Sequence, residues 1–193
     1  MASLRERNRL NAMRLTQRTA LPMFVDRGFD RVTVDDIADE VGMAASTIYR
    51  HFTTKEAIVL WDEHDPAIEA ALEAELRRRP PFEAIREAFI ATLGERYTDD
   101  LSFQLERIRY IYATEQLHAA AVEADFVARR ELTTALEHVL SRKQRTAAPI
   151  IAGAAMLALD VAMERWQAKN GKTSLGTLLT QAFDQLEALP TIT

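Results

Sequence analysis

The densest run of side chains able to hydrogen-bond lies between Thr33 and Glu56, where the chain reads TVDDIADEVGMAASTIYRHFTTKE. Between Ala45 and His51 stand two hydroxyls (Ser46, Thr47), a phenol (Tyr49), a guanidinium (Arg50) and an imidazole (His51), and Lys55 follows one turn later. Groups of these types hydrogen-bond to phosphate oxygens and to the edges of base pairs. Catalytic and metal chemistry have less to work with. There is no cysteine and no Gly-rich phosphate loop, and His51, His64, His118 and His138 fall in no metal-ligand spacing. His118 with Glu115, at i, i+3, reads as a surface contact before an acid/base pair. The tetrad Asp62, Glu63, His64 and Asp65 points in four directions around a helix and reads as a solvated turn.

The elements that position the polar run are two short helices. Val34, Ile37, Ala38 and Val41 have the i, i+3, i+4, i+7 spacing of an amphipathic helix, with Thr33 as N-cap and Asp35 and Asp36 in the first turn. Gly42 ends that helix, and Gly42-Met43-Ala44 makes the turn. A second helix is predicted from about Ala45 to Phe52, with Ile48 and Phe52 inward and Ala45, Ser46, Thr47, Tyr49, Arg50 and His51 outward. That outward face is small, hydroxylic, aromatic and basic, and it suits a helix entering a major groove.

Upstream, Met1 to Arg9 reads as a frayed basic arm whose arginines could meet phosphates. Leu10, Met13, Ala20, Leu21 and Phe24 define a first helix ending at Gly28, and Pro22 predicts a bend near residues 18–22. The chain has a net charge of -5, but residues 1–56 carry +1 and the remainder -6; the first 18 residues alone carry +4. The basic footprint therefore sits at the end that holds the polar run.

Phe24-Val25-Asp26-Arg27-Gly28-Phe29, Thr33-Val34-Asp35-Asp36-Ile37-Ala38, Val41-Gly42, Ser46-Thr47-Ile48-Tyr49-Arg50-His51-Phe52 and Lys55-Glu56 keep the order and spacing of one known pattern. Over residues 10–60 the chain resembles the N-terminal domain of TetR-type transcriptional regulators. Pro22 and Thr16 depart from that pattern. The resemblance implies that Thr33 touches phosphate at a helix N-terminus and that Ala45, Ser46 and Arg50 face base edges. It also implies that Tyr49, His51 and Lys55 bind phosphate, with Thr47 a further candidate. A fourth helix, opened by Lys55, would carry the signal, with a kink near His64 before Asp65-Pro66.

The remaining chain is predicted helical throughout. Arg77-Arg78-Arg79-Pro80-Pro81 marks a boundary between helices. Stripes follow at Phe82, Ile85, Phe89 and Leu93; at Leu101, Leu105, Ile108, Ile111 and Tyr112, starting behind Thr98 or Asp99; and at Leu117, Val122, Phe126, Leu136 and Leu140. Stripes of this kind are most often plain core. The resemblance implies a ligand cavity, for which Trp61, Phe89, Phe103, Arg107, Ile111, Tyr112 and Phe126 are the candidates; an apolar or acyl-bearing effector would suit the aromatic walls, and Arg107 or Arg109 an anionic group. Ala147 to Met163 is apolar nearly all round, so one side needs a partner beyond its own core. The resemblance implies a homodimer through the last two helices.

Taken together, the 193 residues, 48% hydrophobic with 6 Gly and 6 Pro, predict an all-α protein of about nine helices. A three-helix helix-turn-helix DNA-binding domain at 1–56 precedes a helical ligand-binding and dimerisation domain at 57–193. The expected function is a ligand-responsive repressor binding a palindromic double-stranded operator, released by a small-molecule effector. A helical enzyme and a protein-only adaptor are the alternatives. No cofactor or metal is expected. With no leader at the start and a longest uncharged apolar run of 13 residues, Ala147 to Leu159, the expectation is a cytoplasmic protein without a membrane span.

Overall fold

The computed structural model describes residues 3–63, 65–94, 97 and 100–188. Among the described residues there are ten α-helices and no strand. The chain separates into two compact units, Met1–Glu63 with Arg107–Ala121, and His64–Glu106 with Val122–Thr193. These packing units are drawn differently from a division at 56/57, because a segment distant in sequence joins the first.

The first unit holds α1 (Leu4–Arg27), α2 (Val34–Val41), α3 (Ala45–His51) and α4 (Lys55–Leu60). To these it adds the C-terminal half of α7 (Leu101–Ala113) and the start of α8 (Glu115–Val139). Within the arm that the sequence reading took as frayed, Leu4 to Arg9 are instead helix. Ser3 caps α1, its Oγ accepting the Glu6 N–H at 3.1 Å, and Glu6 lies in the positive first turn. Helix α1 runs on through Pro22 to Gly28, whose φ of 89° needs no Cβ penalty. Met13, Ala20, Leu21 and Phe24 are buried as their spacing requires, and they share a core with Phe29, Val32, Ile37, Ile48, Phe52 and Ile58. Thr16, also buried, donates its hydroxyl to the Ala12 carbonyl at 2.9 Å, so its helix satisfies it internally.

The helix opened by Lys55 is shorter than expected. It ends at Leu60, four residues before the predicted kink, because Trp61 turns extended (φ -54°, ψ 127°). Helix α5 (Asp65–Leu76) then starts afresh, with Pro66 in its first turn, where a missing N–H is harmless. This break makes the tenth helix; His64 lies outside the described residues.

The second unit contains α5, α6 (Pro81–Leu93), the first half of α7, most of α8, α9 (Ala148–Ala168) and α10 (Leu175–Ala188). The arginine run at its start is tied up locally: Arg77 pairs with Glu73, and Arg79 with Glu75 and Glu83 at 2.7 Å each. Thr98 and Asp99, proposed to open α7, lie outside the described residues. The α8 stripe needs correction. Leu117, Leu132 and Leu136 are buried, whereas Val122 and Phe126 are exposed. At about 100° per residue, Val122 and Phe126 point about 140° and 180° away from Leu117, so they never shared its face.

Helix α9 turns its small side inward. Its small residues, Ala148, Ala152, Ala155, Ala158 and Ala162, are buried with Trp166 inside their own unit, where α9 packs on α10 and α6. The large residues Ile150 and Leu157 face outward instead, 72% and 52% exposed. Leu175, Leu178, Leu179, Ala182 and Phe183 of α10 are likewise buried, against α9 and α6. The stretch Arg145–Ala168 is long and apolar enough to cross a membrane by length and composition, which the 13-residue count missed because the helix continues past Asp160. Its alanine face is occupied by protein.

Asp160 of α9 stands among other carboxylates. Partial burial, then the charges of Asp125 on α8 and Glu164 on α9, push its carboxyl up to about 6. A carboxyl raised above its unfolded value of 3.8 favours the folded state most below pH 3.8, and that contribution is gone once pH exceeds 6. Asp160→Asn should therefore raise Tm at pH 7.5 and leave it unchanged at pH 3.5. Solvent screening of a surface carboxylate keeps the gain to a few degrees or less. Thermal unfolding at the two pH values checks both arms.

Candidate nucleic-acid interface

The capping box of α2 fixes where the two-helix motif begins. The Thr33 Oγ1 accepts the Asp36 N–H at 3.1 Å, while the Asp36 carboxylate accepts both the Thr33 N–H (2.8 Å) and its hydroxyl (2.7 Å). These bonds, the Thr33 backbone first, hold the Asp36 carboxyl below its ordinary range. Thr33 is exposed, but its one hydroxyl proton is committed to Asp36, so any phosphate contact there begins against a carboxylate. Helix α2 buries Val34, Ile37 and Ala38 and stops at Gly42. There a left-handed backbone (φ 73°, ψ 32°) lets the Met43 N–H return to the Ala38 carbonyl at 3.0 Å.

The turn delivers α3 with one face down. Ile48 and the C-cap Phe52 are buried, and that leaves Ser46, Tyr49 and Arg50 exposed, Tyr49 by 53%. Ala45, Thr47 and His51 flank them, partly covered. His51 is distinctive because its Nδ1 is buried without a hydrogen-bond partner. Burial, then Arg50 and Arg9, disfavours its protonation and lowers its pKa. The influence of Arg9 brings one arginine of the α1 N-terminus into the electrostatics of α3.

Lys55 is engaged within the motif itself. Its Nζ donates to the carbonyls of Phe29 (2.7 Å) and Val32 (3.1 Å) and sits 4.2 Å from the centroid of the Phe29 ring. Two of its three N–H donors thus lock the α1–α2 connection, and one remains for a phosphate.

The exit from α4 is held more firmly than any sequence signal indicated. The buried Gln17 amide of α1 donates to the carbonyls of Ile58 (2.9 Å), Val59 (3.3 Å) and Trp61 (2.7 Å). Arg107 of α7 donates to Val59 (3.2 Å) and Trp61 (3.0 Å) and pairs with Asp62 at 3.0 Å. Arg14 pairs with Glu63, and Tyr110 donates its hydroxyl to the Phe24 carbonyl at 2.9 Å. Gln17 was detectable: a polar residue four from Met13 and four from Leu21 lies on the buried stripe of α1.

The seven ligand candidates divide between the units, Trp61, Arg107, Ile111 and Tyr112 in the first and Phe89, Phe103 and Phe126 in the second. Packing accounts for several of them. Trp61 meets Phe52 edge to face at 6.1 Å, Phe89 is buried with its ring 6.4 Å from Phe183, and Ile111 is buried. Arg107 is occupied by carbonyls and Asp62, so it is no open seat for an anionic effector. Phe103 is half-buried. Tyr112 is exposed and contacts the His118 ring, and Phe126 is exposed beneath Arg129 and Arg130. Asp62 and Glu63, members of the acidic tetrad, are accounted for by their arginine partners.

Comparison with known proteins covers most of the chain. Residues 18–60 match the family model for bacterial regulatory proteins of the tetR family, and residues 79–190 match that of the MftR C-terminal domain. The HTH-type transcriptional regulator TcmR of Streptomyces glaucescens is 38% identical over 79 residues, 40% of this chain and 35% of its own. The transcriptional regulator MftR of Mycobacterium tuberculosis is 33% identical over 123 residues, 58% of this chain and 61% of its own. The matched parts span less than two thirds of either relative. A transcriptional regulator (TerR/AcrR family) from Aquifex aeolicus VF5 shares the fold, with a TM-score of 0.53 at 15% identity over 92% of this chain and 99% of that one.

Proposed function

The chain belongs to the TetR family of bacterial regulatory proteins and is a DNA-binding transcriptional regulator, and from that membership we propose that it acts as a homodimeric repressor on a palindromic operator. Its relatives are regulators, not enzymes. The observation that carries the proposal is the α3 face: Ser46, Tyr49 and Arg50 stand out from a helix whose Ile48 and Phe52 are buried. On this reading Arg50 and Ser46, with the Ala45 methyl, read base edges, while Tyr49, Thr47 and His51 meet phosphate. A phosphate beside the partly covered His51 ring would favour its protonated form. Thr33 and Lys55 hold the motif in shape and contribute at most a secondary contact.

A second copy of the chain docks on α9. Ile150 and Leu157 stand two turns apart with Gly153 and Ala154 between them, an apolar seam that water leaves unsatisfied and that its mate would cover. The last helix, whose apolar side faces α9 and α6 of its own unit, would join that contact by its remaining surface. A small apolar effector taken up among the helices of the C-terminal domain, residues 57–193, would favour the DNA-incompetent state by its differential affinity alone. The protein works where the chromosome is, in the cytoplasm. Selection from a random duplex pool tests this directly. It should return an inverted repeat with half-site centres about 34–36 Å apart or a multiple of that. A single asymmetric half-site, or no enrichment, would refute the two-headed reading.

A further inference from the structure

A six-residue helix leaves its last carbonyls without intrahelical partners, and a buried end of that kind must find donors elsewhere. For α4 those donors come from two helices remote in sequence, Gln17 of α1 and Arg107 of α7, which converge on the same Val59 and Trp61 carbonyls. Both side chains are buried, Gln17 to 6% exposure and Arg107 to 4%. Asp62 neutralises the guanidinium, and Arg14 fastens Glu63. Residues 58–63, along which the chain leaves the reading head, are therefore gripped at nearly every step. We propose that Gln17 and Arg107 are positioning residues that fix the direction of this exit and thereby the spacing at which two heads meet DNA.

One feature separates this role from plain packing. A buried ion pair is a poor source of stability compared with apolar side chains of similar size, and its best-attested use is to select one arrangement among several. Tyr110 and Gln116 extend the same attachment, to Phe24 and to Asp30 at 3.0 Å.

The proposal rests on the two-headed reading, and its test keeps the two apart. Full-length wild type, Arg107→Met, Arg107→Lys and Gln17→Leu would be titrated against the wild-type-selected duplex, the same duplex with its spacer changed by two base pairs, and a single half-site. Wild type should prefer the selected spacing by about tenfold or more. Arg107→Met should erase that preference while binding the single half-site as wild type does, and Arg107→Lys should restore part of it. If Arg107→Met does not fold, Gln17→Leu, which removes no charge, should give the same pattern. Retention of the spacing preference in folded Arg107→Met or Gln17→Leu overturns the clamp alone, as does an equal loss on whole site and half-site. A wild type indifferent to spacing overturns both the clamp and the two-headed reading.

Discussion

Phe24→Ala should lower the unfolding free energy of the DNA-reading unit by about 3–5 kcal/mol, a large share of the 5–15 kcal/mol typical of a folded domain. Phe24 is fully buried, its ring centroid is 5.0 Å from that of Phe29, and its carbonyl accepts bonds from both the Gly28 N–H (2.8 Å) and the Tyr110 hydroxyl (2.9 Å). Removing the ring leaves a cavity where α1 meets the short turn at Phe29–Arg31, and that turn is what Lys55 holds by its carbonyls. Neighbouring Val25, 43% exposed, supplies the control: Val25→Ala should stay within about 0.5 kcal/mol. Urea unfolding of both variants, followed by helical signal, decides the matter. DNA binding by Phe24→Ala should fail at temperatures the wild type tolerates.

The reading head was legible because each of its features is local. A cap, a glycine stop and a four-residue apolar repeat fix α2 and α3 within 20 residues, and Ile48 and Phe52 went inward as their spacing required. What escaped was set by partners distant in the chain. Nothing near Lys55 announces that its ammonium will lock the Phe29 and Val32 carbonyls, and nothing near Arg107 announces that α4 will end early and need donors. The α8 misassignment was different in kind: Val122 and Phe126 were grouped with Leu117 by composition, although helical geometry sets them on the opposite side. In α9 an apolar pattern nearly all round left open which side meets its own core, and the alanines took the inner one because α10 and α6 pack close.

Arg50→Ala should reduce discrimination between operator and unrelated duplex by about 1–3 kcal/mol, about 5- to 150-fold, with little change in stability. Arg50 is exposed in the last turn of α3, so alanine there removes no core contact. A guanidinium bidentate to guanine carries sequence information that phosphate contacts lack, and its loss falls mainly on the specific complex. A stability change as large as that of Phe24→Ala would instead make Arg50 a structural residue.

The central claim, that α3 reads base sequence while basic side chains around it supply charge, meets its most direct test in one titration. Wild type and Arg50→Ala would be measured on the selected duplex and on an unrelated one from about 50 to 200 mM salt. The predicted result is steep, similar salt slopes for both proteins, with the wild type's preference for the selected duplex collapsing in Arg50→Ala. A wild type that binds both duplexes equally, or an affinity that does not fall with salt, would contradict the account.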